Sequence, residues 1–347
     1  MLCLLFSVSA KYIPPVLFWI PAFFGLAFPF IFIINFLFIF YWLFQLKHIV
    51  LYPIMAMAIA MPTAMRYFNL SKDESVNKSG LIKITTYNSM LFDLYNWKNN
   101  KKTRPIIFSN LAENNPGILC LQEFYNSENP KDYHNVDTVI QLFQLPEYHV
   151  EYIFTQDSTD HWGIATFSKY PIINRGAIQF NTSENNGCIF TDLVINSDTV
   201  RVYNLHLQSI SFSDKDTKFM EEMMSDKNTS NEIEKSKNIV RRLKRAFNLR
   251  CKQVDVVKAH MNNCKYPIIL CGDFNDTAAS YAYQTLSENM EDSFLEKGYG
   301  FGRTYAGKWP QFRIDFILHS EKLKCLKFTR SSETLTDHYP ITAFFEQ

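Results

Sequence analysis

The chain has 347 residues, with 35 Lys and Arg against 34 Asp and Glu, for a formal net charge of +1. That balance argues against a protein held to nucleic acid by general electrostatic attraction, although a local basic face stays possible. Aromatic residues make up 16%, too many for a disordered chain, and the seven cysteines contain no CxxC pair, so neither a zinc knuckle nor a thioredoxin-type redox site is written here.

Residues 1–65 contain no Asp, Glu or Arg and only two lysines, Lys11 and Lys47. The 35 uncharged residues between them would extend about 52 Å as one helix, against a hydrocarbon core of about 30 Å. Pro14, Pro15, Pro21 and Pro29 are expected to break or tilt the run. The clearest span is Phe23–Leu46, followed by a second, Ile49–Met65, with Tyr41, Trp42 and Tyr52 suited to headgroup level. A secretory signal peptide fits poorly, because the basic n-region is missing and the apolar run is too long. A buried pair of core helices is the competing reading. Residues 1–10 are a candidate tail of a third span. With three spans, the short basic connection at Lys47 and His48 fits the cytoplasm and the domain faces the extracytoplasmic side. Residues 1–70 are thus read as an anchor of two or three helices, residues 71–80 as a polar linker, and residues 81–347 as one globular domain.

In that domain, short apolar and β-branched runs predict strands at Leu81–Tyr87, Gly117–Leu121, Val150–Phe154, Gly163–Phe167, Ile189–Ile195, Val200–Leu207, Pro267–Cys271, Ile314–Leu318 and Ile341–Phe345. Helices are expected at Pro105–Asn114, Val136–Gln144, Ser280–Glu288 and, most clearly, Glu232–Met261. In the last, Val240, Leu243, Phe247, Val254 and Val257 recur at helical spacing, with Cys251 a weaker position. The sum is an α/β domain with two sheets or one large sheet and helices outside.

Function is carried by what stands at the strand ends. Asn88, Glu123, His206, Asp273 with Asn275, and Asp337 with His338 each follow or adjoin an apolar run, and Asp315 sits inside another. Taken singly, each has a bland reading: a cap or turn for Glu123 or Asp273, a satisfied core imidazole for His206, an ion pair with Arg313 for Asp315. Taken together they are harder to dismiss, since a carboxylate in such a setting must be paired or bound to a cation. Oxygen donors without a Cys/His cluster favour a hard cation, Mg²⁺, Mn²⁺ or Ca²⁺, which suits phosphoryl chemistry. Neither a GxSxG elbow nor a GxxxxGK[ST] loop is present.

In order along the chain, TYNSMLFD, CLQEFY, WGIATFSKYPI, YNLHLQS, LCGDFND, RIDFIL and TDHYPI resemble the motifs of the endonuclease/exonuclease/phosphatase superfamily, which includes deoxyribonuclease I, neutral sphingomyelinases and inositol-polyphosphate phosphatases. The similarity spans residues 81–347. It implies a four-layer α/β sandwich, two packed mixed β-sheets flanked by helices, here preceded by a transmembrane helical segment. It implies a phosphoesterase dependent on Mg²⁺ or Mn²⁺. By the same resemblance, Asn88 and Glu123 are metal ligands and Asp337 a further one. His338, oriented by Asp315, activates water or contacts the scissile phosphate. Asp273 positions or deprotonates the nucleophilic water, Asn275 holds a phosphate oxygen, and His206 is a candidate acid or phosphate ligand. His206 argues against an apurinic-site nuclease, and the Trp-Cys-Asp signature of inositol phosphatases is absent.

Substrate follows less directly. An anchor holds the site near a bilayer and raises the effective concentration of lipid-linked phosphoesters. Residues 210–253 insert a charged segment containing Lys237, Arg241, Arg242, Lys244, Arg245, Arg250 and Lys252. It reads either as a basic face for anionic headgroups or as a solvated helix face partly neutralised by upstream acids. Three functions are carried forward: a membrane-anchored hydrolase of a lipid headgroup or other phosphoester, an extracytoplasmic nuclease, and a non-enzymatic membrane protein that binds through the same sandwich.

Overall fold

Proline positions dictate how the apolar head breaks up. In a computed structural model, which describes residues 1–71, 80–129, 133–180, 186–210, 232–307, 310–333 and 336–346, it forms α1 (Leu2–Ser9), α2 (Ile20–Leu26), α3 (Phe28–Phe44) and α4 (Leu51–Ala64). Helices α2 and α3 meet at a 73° bend. Pro21 and Pro29 occupy the first turns of these two helices, where a missing N–H costs no hydrogen bond. The expected span Phe23–Leu46 is therefore corrected: its straight part begins at Phe28 and its 17 residues rise about 25 Å. Helix α4 with its short 3₁₀ ends forms one apolar helix, His48–Tyr67, of 20 residues, long and apolar enough to cross a membrane. Helix α1 lies alongside: Leu4 packs with Phe28, Ala56, Met57 and Ala60, and Met1 shares a cavity of about 370 Å³ with Phe38, Trp42 and Tyr52. Ile33, Ile34, Phe36, Leu37, Phe40, Leu43 and Phe44 are left exposed, an apolar surface beyond what a water-soluble chain usually shows.

The strands that follow are β1 (Asn69–Leu70), β2 (Ile82–Asn88), β3 (Ile118–Ser127), β4 (Glu147–Gln156), β5 (Asp160–Ser168), β6 (Ile172–Ile178), β7 (Gly187–Ile195), β8 (Asp198–His206), β9 (Ile268–Asp273), β10 (Glu291–Asp292), β11 (Tyr299–Gly300), β12 (Asp315–His319), β13 (Lys324–Arg330) and β14 (Ile341–Glu346). They build two six-stranded sheets, β10-β12-β9-β8-β7-β6 and β13-β14-β2-β3-β5-β4, while β1 pairs with β11 alone. Both sheets are mixed: β2 with β3 and β8 with β9 run parallel, the other pairs antiparallel. Helices α5 (Asn100–Glu113) and α6 (Asn135–Phe143) cover the second sheet, and α7 (Glu232–Asn262) with α8 (Tyr281–Ser287) covers the first. A short α9 (Ser293–Lys297) packs by β12 and β13.

Between the sheets lies the main core, with Ile84, Ile118, Cys120, Val200, Val202, Ile269, Cys271 and Ile317 interleaved. Those strands face protein on both sides, which is why they read as continuous apolar runs. Two sheets therefore replace the open choice of one or two. Strands β6 and β13 escaped the sequence pattern: both lie at sheet edges, and IINRGAI and KCLKFTR carry polar residues where a buried strand would not. Val240 is 41% exposed and falls outside the stripe of α7; Leu243, Ala246, Phe247, Val254 and Val257 form it. Residues 211–231 of the charged insertion lie outside the described residues.

Candidate active site

Strands β2, β8 and β9 end together, with β3 passing the same level at Gln122, so their last residues converge on one rim. Asn88 closes β2, His206 closes β8, Asp273 closes β9, and Asp315 opens β12 directly opposite Asp273 in register. Gly272 makes this possible. Its φ is +136°, and a Cβ there would sit 2.0 Å from the Leu205 carbonyl oxygen, so only glycine lets β9 approach β8 so closely.

Glu123 reaches the rim by a different device. The ladder between β3 and β5 shifts between Leu121 and Phe124, and Glu123 sits at φ +47°. This bulge turns the side chain out of the strand's alternation. Ser89 locks it: its hydroxyl donates to the Gln122 carbonyl (3.1 Å) and the Glu123 carbonyl (2.9 Å). Beneath, buried Gln122 donates to Thr86 (2.9 Å) and to Asn204 of the other sheet (2.6 Å). Ser89, Gln122 and Asn204 were not singled out from the sequence. The available signal was polar residues inside apolar runs of the motifs TYNS, CLQE and YNLH.

Asp273 is the hub. Its Oδ1 accepts the Asn275 backbone N–H at 2.8 Å, and its Oδ2 accepts from Asn88 Nδ2 (3.1 Å) and Asn275 Nδ2 (3.2 Å). The Nε2 atoms of His206 and His338 stand 3.7 and 3.6 Å from the same oxygen. Burial pushes the Asp273 carboxyl up to about 6, with the Asp315 charge adding to the rise and the two imidazoles opposing it. His338 donates from Nδ1 to both Asp315 oxygens, at 2.9 and 3.1 Å. Burial disfavours its charge, but Asp315, Asp273 and Asp337 outweigh that and raise it well above the usual imidazole range. His338 is thus an oriented imidazolium with Nε2 turned to Asp273. Tyr305 closes over it, edge to face at 5.5 Å.

Two expected roles look different in place. Asn275 commits its amide to the Leu207 carbonyl (2.9 Å) and to Asp273, so as arranged it orients Asp273 rather than offering a free donor to phosphate. Asp337 accepts the Ala306 N–H at its backbone carbonyl and acts on His338 by charge.

Whether a hard cation fits can be judged from the donors. His206 Nε2 is buried without a hydrogen-bond partner and stands 3.7 Å from both Glu123 Oε1 and Asp273 Oδ2. Asn88 donates to both carboxylates, at 3.2 and 3.1 Å; as a ligand it would turn its amide over to present oxygen. Carboxylate oxygens, an amide and an orphaned nitrogen around one space fit Mg²⁺ or Mn²⁺. Asp273, Asp315 and His338 also place donor atoms within 4.8 Å of one another, but there His338 and Asp315 already satisfy each other. A third grouping, Glu296, His319 and Cys325, is likewise closed: His319 Nε2 meets Glu296 at 2.7 Å and the Cys325 thiol meets the Lys327 carbonyl.

Solved structures share this architecture. An endonuclease/exonuclease/phosphatase family protein from Leptotrichia buccalis matches with TM-score 0.53 and 15% identity over 77% of this chain and 100% of its own. D. rerio TDP2, complexed with single-strand DNA product, matches at 0.53 and 16% over 78% and 100%. A mannosyl-6-phosphatase of Bacteroides thetaiotaomicron matches at 0.51 and 17% over 77% and 100%. No curated protein matches the chain. Residues 1–67 match a domain of unknown function. Residues 99–338, from the first turn of α5 to His338, match the Endonuclease/Exonuclease/phosphatase family, and the chain belongs to that family of phosphoester hydrolases.

Proposed function

We propose that the chain is a membrane-anchored, divalent-cation-dependent hydrolase of a lipid-linked phosphoester, cleaving by attack of water on phosphorus. The observation that carries the chemistry is the Asp315–His338 pair aimed at buried Asp273, with Glu123, Asn88 and His206 completing the rim. Asp273, lifted to about 6, is poised near neutrality to hold a water and take its proton. His338, charged and fixed by Asp315, donates from Nε2 to a phosphoryl oxygen as negative charge grows there. His206 offers a second imidazole to the leaving oxygen or to the phosphate. Glu123 and Asn88 would hold Mg²⁺ or Mn²⁺, with Asp337 a further candidate, and the cation would supply charge stabilisation at phosphorus.

The lipid reading rests on where the apolar helices sit. The Phe30 ring of α3 lies 6.2 Å from Phe312, in the segment that leads into Asp315. Lys244 of α7 stands over the Trp19 ring at 5.1 Å, and Phe247 packs edge to face on Phe23 at 5.3 Å. Lys244 of α7 thus borders the apolar helices, and we read it as meeting anionic headgroups there. Arg250 belongs to a different structure: it is buried and paired with Asp276 at 2.9 Å. Helix α3 starts at the domain and α4 returns to it, so Lys47 and His48 occupy the far turn, and we read that turn as cytoplasmic and the domain as extracytoplasmic.

The test uses the full chain in detergent and in vesicles. Bis-p-nitrophenyl phosphate, p-nitrophenyl phosphate, plasmid DNA and phospholipid vesicles are assayed with Mg²⁺, Mn²⁺ or EDTA, for wild type and His338→Ala. Cation-dependent turnover that is lost in the variant, and strongest on the bilayer substrate, is expected. Plasmid cleavage that collapses with salt would move the substrate to nucleic acid. Inactivity on all four refutes the hydrolase.

A further inference from the structure

The chain leaving α4 is sewn onto the catalytic domain residue by residue. Arg66 donates to Gln284 at 2.8 Å, and its carbonyl accepts from Arg313 Nη2 at 2.9 Å. The Tyr67 hydroxyl bonds Thr277 Oγ1 at 3.0 Å, while its ring stacks on Phe28 at 5.5 Å. Asn69 donates to the Phe294 and Leu295 carbonyls, at 2.8 and 2.7 Å, and Ser71 to the Glu296 carbonyl at 2.8 Å. Further up, Ala279 of the domain is part of the anchor's own apolar core, and a Cβ on Gly25 would come within 3.4 Å of the Ala279 carbonyl oxygen.

Two of these contacts, Tyr67 with Thr277 and the Arg66 carbonyl with Arg313, fall on the segments that hold the site. Thr277 lies two residues beyond Asn275, and its N–H donates to Asp276 at 2.9 Å. Arg313 lies two residues before Asp315. It is buried, paired with Asp292 at 2.7 Å, and its neighbour Ile314 accepts the Phe274 N–H at 2.9 Å. Any slack at Tyr67 or Arg313 is therefore passed to Asp273 and Asp315, which face each other in register.

We propose that residues 66–71 are a permanent brace of the active site rather than the start of a flexible tether, with Tyr67 and Arg313 as positioning residues for Asp273 and Asp315. The kinetic part rests on the hydrolase reading; the structural part does not. Three measurements on the full chain in detergent decide it. A protease site placed between Ser71 and Gly80 lets the chain be cut in place: the brace predicts that the two fragments co-elute and keep wild-type turnover of bis-p-nitrophenyl phosphate. Tyr67→Phe and Thr277→Val should each lower kcat about tenfold with KM unchanged, and the double variant should fall no further. Hydrogen exchange over residues 272–280 should quicken in both, a readout that needs no turnover. Fragments that separate while the domain fragment keeps full kcat would overturn the brace. So would single variants within twofold of wild type with unaltered exchange. A wild-type chain without activity refutes the hydrolase instead, and the exchange result and co-elution then decide the brace alone.

Discussion

Asp273 gives the sharpest test of how the site is built. Its carboxyl is 1% exposed and is pushed up from 3.8 to about 6, chiefly by burial. A rise of about two units means that holding the charge in the fold costs about 3 kcal/mol once the pH is well above 6. The sign follows from linkage: the folded state binds the proton more tightly than the unfolded chain, so wild-type stability falls as pH rises from about 4 and levels off above 6. His338 is charged in both states over most of that window, because its folded value is raised and the unfolded imidazole titrates only near 6.5. It therefore adds little slope below pH 6.5. Asp273→Asn removes the titration, and between pH 4 and 6.5 the variant should gain about 2 kcal/mol on wild type in EDTA. For a chain of this size that is about 3 °C in Tm, readable from the fluorescence of the five tryptophans in detergent. The same variant should lose cation-dependent turnover. Parallel Tm curves for the two proteins across that range would refute the assignment of Asp273 as a buried, costly charge.

Further outcomes follow from the same geometry. Mg²⁺ or Mn²⁺ should raise the wild-type Tm at pH 7.5 by screening Glu123 against Asp273, and Glu123→Gln should abolish most of that shift; an equal shift in the variant places the cation elsewhere. Ser89→Ala removes the hydroxyl that fixes the bulge at Glu123, so it should cost about 1 kcal/mol of stability and more than tenfold in kcat, measured by thermal melts and turnover. Asp315→Asn keeps the shape but not the charge that orients His338, and kcat should drop by about 10²–10⁴; a drop under threefold would leave His338 without its partner's help. Protease added to intact cells should digest the domain, and full protection would place it in the cytoplasm instead.

The strand-end polar residues were legible because burial on both faces leaves no other reason for Asn88, His206 and Asp273 to end apolar runs. Two edge strands, β6 and β13, were not, because their open side keeps polar residues in IINRGAI and KCLKFTR, whereas the edge strand β4 was picked up at Val150–Phe154. The bend at Ala27 was signalled only as a row of prolines, since sequence tells that a helix must break and not through what angle. Glu123 was picked out as a candidate, but its reach depends on a left-handed backbone held by Ser89, a constraint made by residues far apart in the chain. The commitment of Asn275 to Leu207 and Asp273 was hidden for the same reason.

The contacts of residues 66–71 also change the argument for a lipid substrate. A flexible linker raises local concentration for anything on the bilayer, and its effect depends on length. Here β1 pairs with β11 and Tyr67 meets Thr277, so the height of the rim above the apolar helices is set by packing. Phe30 touches the segment entering Asp315 while Lys244 caps Trp19 nearby. If the apolar helices anchor the chain as proposed, a rim held beside them by packing favours a phosphoester in the headgroup layer over one free in solution. Discrimination then comes from geometry, and lengthening the chain between Ser71 and Gly80 should leave turnover on vesicles unchanged, whereas a tether would make it fall with length.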